Sequence, residues 1–156
     1  MTLEDLERRV RVLEDVEAIK KLKARYCACC DAGFDPGGIA ELFTEDGVWE
    51  SVGFGSYQGR AAIRKFFEGG PAVFPFTIHQ VMNPIIEVEG DEARGSWYLL
   101  QPSTMAPDNR AIWLAATYDD HYVRDRGVWR FQRLRTTTRF FTPYEDGWGK
   151  TRNLGG

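Results

Sequence analysis

Residues 76–101 read FTIHQVMNPIIEVEGDEARGSWYLLQ, and this stretch decides the fold because apolar and polar residues begin to alternate within it. A period of two residues is typical of β-strands that bury one face. The same period continues toward the C-terminus, and strands are predicted over residues 76–88, 93–101, 110–123 and 128–141. Turns rich in Gly, Asp and Pro separate these strands, so the sequence predicts an antiparallel meander.

The first thirty residues have a different period. Apolar residues recur there at spacings of three and four: Leu3, Leu6, Val10, Leu13, Val16, Ile19 and Leu22. This spacing predicts a long amphipathic helix that ends near Asp31, with Thr2 and Asp5 as its capping box. We expect residues 1–12 to form a helical arm.

Shorter elements lie between the long helix and the meander. Helices are predicted over residues 38–43 and 60–68, and strands over residues 47–52 and 55–58. The order of the elements predicts an α+β fold, in which a strongly curved antiparallel sheet wraps around the N-terminal helix and leaves a cone-shaped cavity. We expect one domain over residues 1–156, with a loosely ordered tail from residue 143.

Charge and composition exclude several classes of function. The 20 Lys and Arg against 23 Asp and Glu give a net charge of −3, so we expect no nucleic-acid partner. No apolar run reaches the roughly 18–20 residues that span a bilayer, and the charged N-terminus is unlike a signal peptide. We therefore expect a cytoplasmic protein without a membrane partner. The three cysteines (Cys27, Cys29, Cys30) lie too close together to staple a fold, so we expect reduced thiols.

Two residues stand out as candidates for acid–base chemistry. Asp31 ends the long helix, where the helix dipole disfavours a carboxylate, so a partner elsewhere in the fold accounts for it better than a cap. His79 is one of two histidines and is expected to share a strand face with Asn83. A carboxylate on one ring nitrogen would leave the other nitrogen as a base, although a structural histidine is the common alternative.

Several segments in order resemble the SnoaL-like branch of the nuclear transport factor 2-like superfamily. They are residues 13–31, 42–50, 57–63, 88–94 and 127–131, together with His79, Asn83, Tyr118 and Asp119. The resemblance implies a cone-shaped, cystatin-like α+β barrel. Within the superfamily the chain is similar to cofactor-independent lyases, namely scytalone dehydratase, bile acid 7α-dehydratase and γ-hexachlorocyclohexane dehydrochlorinase.

The resemblance implies roles for particular residues. Asp31 and His79 match the Asp/His dyad of these lyases, and Tyr26 matches a tyrosine that hydrogen-bonds a substrate oxygen. Where the lyases add polar groups from later strands, this chain has Trp97, Leu99 and Gln101. Alternation along the last strand favours Arg135 as a group at the cavity mouth that stabilises negative charge on oxygen.

The remaining residues of the predicted substrate site are mostly apolar and aromatic. They are Trp49, Phe54, Val81, Asn83, Trp97, Trp113 and Phe131. Such walls suit a hydrophobic aromatic or polycyclic carbonyl or alcohol. We therefore expect a dehydratase-like lyase, an isomerase or a cyclase, with a non-catalytic module that binds a hydrophobic small molecule as the alternative.

We expect this function to need no cofactor, and we expect the chain to associate with copies of itself. No metal or other cofactor is implied, because metal-ligand spacings and glycine-rich phosphate loops are not found in the sequence. Apolar residues on the outer face of the sheet predict a homo-oligomer. The resemblance favours a trimer over a dimer.

Overall fold

The computed structural model describes residues 1–155 and begins with the predicted long helix. Helix α1 covers Leu3–Asp31, and the Thr2 hydroxyl and the Asp5 carboxylate form the capping box at its start. The first buried residue of α1 is Asp15, so the preceding three turns project as an exposed arm. Asp15 accepts hydrogen bonds from Trp129 Nε1 and Arg124 Nη2, both at 2.9 Å. These bonds fasten the middle of α1 to the sheet.

The other elements follow in chain order. They are α2 (Pro36–Glu41), β1 (Phe43–Ser51), β2 (Gly55–Gln58), α3 (Arg60–Glu68), α4 (Gly70–Val73), β3 (Phe76–Thr77), β4 (Gln80–Glu89), β5 (Glu92–Met105), β6 (Arg110–Asp125), β7 (Val128–Pro143) and α5 (Gly147–Lys150). Helix α2 begins earlier than predicted because the Asp35 carboxylate caps it by accepting the Gly38 N–H at 3.1 Å. Helices α4 and α5 were not predicted.

The seven strands within residues 1–155 form one curved sheet. Its order is β2-β1-β7-β6-β5-β3, and β4 pairs with β5 beside β3. The four predicted C-terminal runs pair antiparallel, as expected, whereas β1 pairs with β7 in parallel. The predicted strand over residues 76–88 is two strands, because Ile78 and His79 leave the strand conformation between β3 and β4.

The inner face of the sheet carries the core, and β-bulges decide which residues belong to it. Tyr122 pairs with Phe131 and His121 pairs with Arg133, so Gln132 is an extra residue on β7. An extra residue reverses the alternation of every side chain beyond it. Phe131 therefore points inward, whereas Arg133 and Arg135 point outward and Leu134 and Thr136 take the inner positions.

A buried ion pair joins α1 to the middle of the sheet. Lys23 Nζ lies 2.8 Å from Asp120 Oδ2, and neither side chain is exposed. The Tyr122 hydroxyl donates to the same oxygen at 2.8 Å, and Trp97 Nε1 donates to Tyr122 at 3.0 Å. Burial lowers the pKa of Lys23 and raises the pKa of Asp120, and their mutual attraction opposes both shifts.

None of the helices within residues 1–155 combines the length and the apolar character that a membrane span needs. In the same part of the chain, no group of three or more His, Cys, Asp or Glu side chains is placed to hold a metal ion. The C-terminal segment contains α5 and a bridge between Phe141 and Asn153.

The buried ion pair yields a test of stability. We expect Asp120→Asn to lower the free energy of unfolding by about 3–5 kcal/mol, because the Lys23 ammonium would stay buried without its counter-charge. Asp119 is the matched control, since it is the next residue on β6 but is exposed on the outer face. Asp119→Asn should change the free energy by less than about 0.5 kcal/mol in urea unfolding. Equal losses for both variants would contradict this account.

Candidate active site

A cavity of about 290 Å³ lies between the end of α1, helices α3 and α4, and the inner face of the sheet. Its walls are largely aromatic, with rings from Tyr26, Phe34, Trp49, Phe54, Phe66, Phe67, Phe74 and Tyr118. Polar side chains interrupt the apolar wall at a few places: Ser51, His79, Gln101, Thr136 and Thr138. No Lys or Arg among residues 1–155 lines the cavity. Charge that develops inside it must therefore be stabilised by neutral hydrogen-bond donors or by the histidine.

The structure brings Asp31 and His79 together. One carboxylate oxygen of Asp31, Oδ1, lies 2.7 Å from His79 Nδ1 and accepts the backbone N–H of His79 at 2.9 Å. The His79 side chain is only 6% exposed, whereas the Asp31 side chain is 29% exposed. The carboxylate thus sits on the solvent side of the imidazole, and the imidazole lines the cavity.

Local backbone features place these two residues. Asp31 is the last residue of α1, where the negative end of the helix dipole disfavours a carboxylate. Hydrogen bonds from the backbone N–H and the ring Nδ1–H of His79 offset this unfavourable interaction. His79 lies in the gap between β3 and β4, so its backbone N–H is free to donate to Asp31. Phe34 presents its ring edge-on to the imidazole with centroids 6.4 Å apart, and it stacks on Phe67.

This geometry fixes the proton of a neutral imidazole. A carboxylate only accepts hydrogen bonds, so Nδ1 must carry the hydrogen that points to Asp31. The other nitrogen, Nε2, makes no hydrogen bond to a residue within 1–155 and keeps its lone pair. An imidazole that lines an apolar cavity in this state can act as a general base.

Tyr26 lies in the cavity wall as a neutral hydrogen-bond donor. Its side chain is buried, and its hydroxyl oxygen accepts a bond from Trp49 Nε1 at 2.9 Å. Burial raises the pKa of Tyr26 well above its usual range, so the phenol keeps its proton. The indole of Trp49 occupies a lone pair of that oxygen, so the Tyr26 hydroxyl acts toward other groups as a donor through its O–H.

Of the predicted substrate-site residues, Trp49 and Phe54 line the cavity. Val81 is partly buried against the core without lining the cavity. Trp97 and Phe131 are both buried beside Tyr122. Trp97 Nε1 donates a hydrogen bond to the Tyr122 hydroxyl, and the ring centroids of Phe131 and Tyr122 lie 5.2 Å apart. The prediction that Trp97 and Phe131 line the cavity is wrong, because their rings pack in the core beneath it.

Three further predicted residues do not line the cavity either. Arg135 is 54% exposed on the outer face, 3.7 Å from Glu50, because the bulge at Gln132 turns it outward. Asn83 is exposed with a left-handed φ of 54°, in a bulge that breaks the strand face it was expected to share with His79. Trp113 lies on the outer face of β6, opposite in alternation to Leu114. The predicted placements of these residues are wrong.

Several residues that line the cavity were not predicted from the sequence. Tyr118 and Ser51 could have been found, because they share strand faces with the buried Leu114 and with Trp49. Phe34 and Phe74 gave no such signal. Phe34 has a left-handed φ of 57° after the end of α1, and Phe74 follows the unpredicted helix α4.

Comparisons with known proteins agree with this architecture. A family model described as a SnoaL-like domain matches residues 11–135. The chain is 30% identical over 109 residues to gamma-hexachlorocyclohexane dehydrochlorinase of Sphingobium indicum (strain UT26), which covers 69% of this chain and 70% of that protein. The region that the family model matches includes most of the sheet and residues 11–31 of α1.

Solved structures extend the likeness to the whole fold. The crystal structure of LinA has a TM-score of 0.81 at 28% identity, covering 90% of this chain and 94% of that chain. A scytalone dehydratase candidate from Novosphingobium aromaticivorans has a TM-score of 0.77 at 26% identity, covering 92% and 95%. Solved NTF2-like and cystatin-like proteins share the fold, so the predicted fold class is confirmed.

Proposed function

The chain belongs to the SnoaL-like domain family, and from this premise we propose that it is a cofactor-independent lyase in which His79 is the general base. The relatives named above are a dehydrochlorinase and a dehydratase candidate, and both names describe elimination reactions. The observation that carries the proposal is the His79 imidazole, held by Asp31 at 2.7 Å in the wall of an aromatic cavity.

The proposed reaction is a β-elimination. His79 Nε2 takes a proton from a substrate carbon, and the electrons of that C–H bond form a C=C bond. The leaving group departs from the adjacent carbon with the electron pair of its own bond. A departing hydroxyl takes the proton back from the imidazolium and leaves as water, whereas a halide leaves as an anion. An isomerase or cyclase would begin with the same proton abstraction.

Asp31 and Tyr26 have supporting roles in this proposal. The Asp31 carboxylate stabilises the imidazolium that forms and keeps Nε2 directed at the substrate. The Tyr26 hydroxyl donates to an oxygen on which negative charge develops, a role for which the outward-facing Arg135 is not available. General base catalysis contributes about 10²–10⁴-fold, so binding and such donors supply the rest of the acceleration.

The proposed substrate is a small hydrophobic alcohol, carbonyl compound or halide. A volume of about 290 Å³ is at the lower end of the range for ligand sites, which favours one or two rings over a larger polycyclic molecule. Eight aromatic side chains around this space suit a flat ligand. The same wall, without any lining Lys or Arg within residues 1–155, is also compatible with the second candidate function, a non-catalytic binder of hydrophobic small molecules.

Turnover by dyad variants separates the two candidates. A screen of one- and two-ring hydroxyketones, alcohols and chlorinated cyclohexanes should identify a substrate by its unsaturated product. We then expect His79→Ala to lower kcat by about 10²–10⁴-fold, because the base is removed. Asp31→Asn should lower kcat by at least about 10²-fold, because an amide can present N–H to the ring and favour the wrong tautomer.

Two variants serve as controls for that experiment. Arg135→Ala removes an exposed charge outside the cavity, and His121→Gln removes the other histidine on the outer face of β6. Both should keep kcat within about twofold of the wild type. Near-wild-type kcat in His79→Ala or Asp31→Asn would contradict the proposed mechanism and favour the binder.

We also propose that the chain forms a homo-oligomer, with a trimer favoured by the resemblance, through the outer face of β4 and β5. Met82 and Tyr98 pair across these strands and are 38% and 52% exposed, and Ile85 beside them is 66% exposed. The bulge at Asn83 puts Ile85 on this face, whereas Ile86 packs against the core. Exposed apolar side chains in one patch are typical of protein interfaces.

Sedimentation velocity at micromolar concentration tests this association. The wild type should sediment as an oligomer, and Tyr98→Lys should shift it toward monomer by burying a charge in the contact. Val52→Lys is the control, because Val52 is 77% exposed in the turn between β1 and β2, away from the patch. A monomeric wild type, or equal dissociation by both variants, would refute the proposal.

A further inference from the structure

Gln101 stands directly across the sheet from His79. Thr77 pairs with Ser103 and Gln80 pairs with Leu100, and both pairs belong to one unbroken antiparallel register. That register sets His79 opposite Gln101, although His79 itself leaves the strand conformation. Residues opposite each other in an antiparallel pair have Cβ atoms roughly 4.5–5.5 Å apart on the same face. Both side chains line the cavity, so they form adjacent parts of its wall.

A chain of hydrogen bonds fixes the Gln101 amide. Gln101 Nε2 donates to Ser103 Oγ at 3.2 Å, and Ser103 Oγ lies 2.8 Å from Thr77 Oγ1. All three side chains are buried, with residue exposures of 4% to 6%. Buried polar side chains that share such a network are restricted in their motion, because leaving the network would cost each of them a hydrogen bond.

The network leaves the other end of the amide free. Gln101 Oε1 accepts no hydrogen bond from a residue within 1–155. The fully enclosed polar atoms without a partner are Ser51 Oγ, Asp120 Oδ1 and Arg130 Nε. Gln101 Oε1 is not one of them, so it is not sealed inside the protein. Because Gln101 lines the cavity, this oxygen borders the open space in which a ligand would lie. A carbonyl oxygen in an apolar wall has a strong preference for a hydrogen-bond donor.

We propose that Gln101 is a specificity-determining residue that accepts a hydrogen bond from a hydroxyl group of the substrate, next to the carbon that His79 deprotonates. The inference rests on the proposed use of the cavity as the substrate site and narrows its substrate class to hydroxylated rings. A carbonyl or halogen at the same place has no hydrogen to donate, so it would face the amide oxygen without compensation. Ser103 and Thr77 are positioning residues that keep Oε1 directed at the cavity.

Equilibrium binding of three matched probes tests this without any need for turnover. The probes are 1-indanol, 1-indanone and indane, which share one bicyclic skeleton and differ in a hydroxyl, a carbonyl or neither. Isothermal titration calorimetry gives the Kd of each. We expect the wild type to bind 1-indanol more tightly than 1-indanone by roughly three- to tenfold, as one net hydrogen bond provides.

Variants assign that preference to a residue. Gln101→Met keeps the length of the side chain and removes its amide, so the ratio of the two Kd values should fall to about one while the Kd of indane stays within about twofold. Ser103→Ala releases the amide from its anchor and should reduce the ratio in the same direction. His121→Gln is the control, because His121 lies outside the cavity, and it should leave all three Kd values unchanged. His79→Ala removes the other acceptor nearby, a ring nitrogen, and the ratio of the two Kd values should persist in it.

The outcomes that would overturn the proposal are distinct. Tighter binding of 1-indanone would show that the amide presents its N–H to the cavity. A preference that survives in Gln101→Met but disappears in His79→Ala would make His79 the acceptor, and the absence of binding by any probe would remove the cavity as a site for such rings. If the dyad variants keep near-wild-type kcat but the preference follows Gln101, the lyase mechanism fails and Gln101 still stands as the residue that accepts the hydroxyl of the ligand.

Discussion

One carboxylate oxygen connects the two halves of this protein. Asp31 ends the helical part of the chain, and its Oδ1 accepts both the backbone N–H and the ring N–H of His79, at the start of the meander. The bond to the backbone fixes where the strand gap lies, and the bond to the ring fixes how the imidazole is oriented. Because both bonds end on one atom, a shift of the helix end moves the imidazole with it. Hydrogen bonds to an ionised group are among the stronger ones in proteins, so the carboxylate holds the imidazole more firmly than a neutral acceptor would.

The rest of the fold supports that contact because side chains at successive positions along α1 bind the sheet. Asp15 binds Trp129 and Arg124 where the arm ends, and Lys23 binds Asp120 two turns later. The aromatic cavity then opens beyond Tyr26, at the end of the helix that carries Asp31. Burial raises the pKa of Asp15, but its hydrogen bonds from Arg124 and Trp129 more than offset this, so the carboxylate stays charged and keeps its partners at neutral pH.

Much of this architecture could be predicted from the sequence, because its signals are periodic. The change of period near residue 73 gave the helix and the meander, and the unfavourable position of Asp31 at a helix end gave its pairing with His79. The sequence predicted the wrong faces for Arg135, which follows a β-bulge, and for Asn83, which lies in one. One extra residue reverses the alternation of a strand, and no sequence signal marks it. Lys23 was overlooked because a lysine among charged neighbours in a helix resembles a solvated one, and only the tertiary structure supplies Asp120.

The proposed chemistry requires that Asp31 place the proton of a neutral His79 on Nδ1 and leave Nε2 open to the cavity. Two-bond ¹H–¹⁵N correlation NMR of the protein labelled at its two histidines, under alkaline conditions in which imidazole is neutral, measures this directly. His121→Gln assigns the signals, because it leaves His79 as the only histidine. We expect a protonated Nδ1 and an unprotonated Nε2 for His79 in the wild type, and a shift of the proton toward Nε2 in Asp31→Ala. A proton on Nε2 in the wild type, or no change in Asp31→Ala, would contradict it.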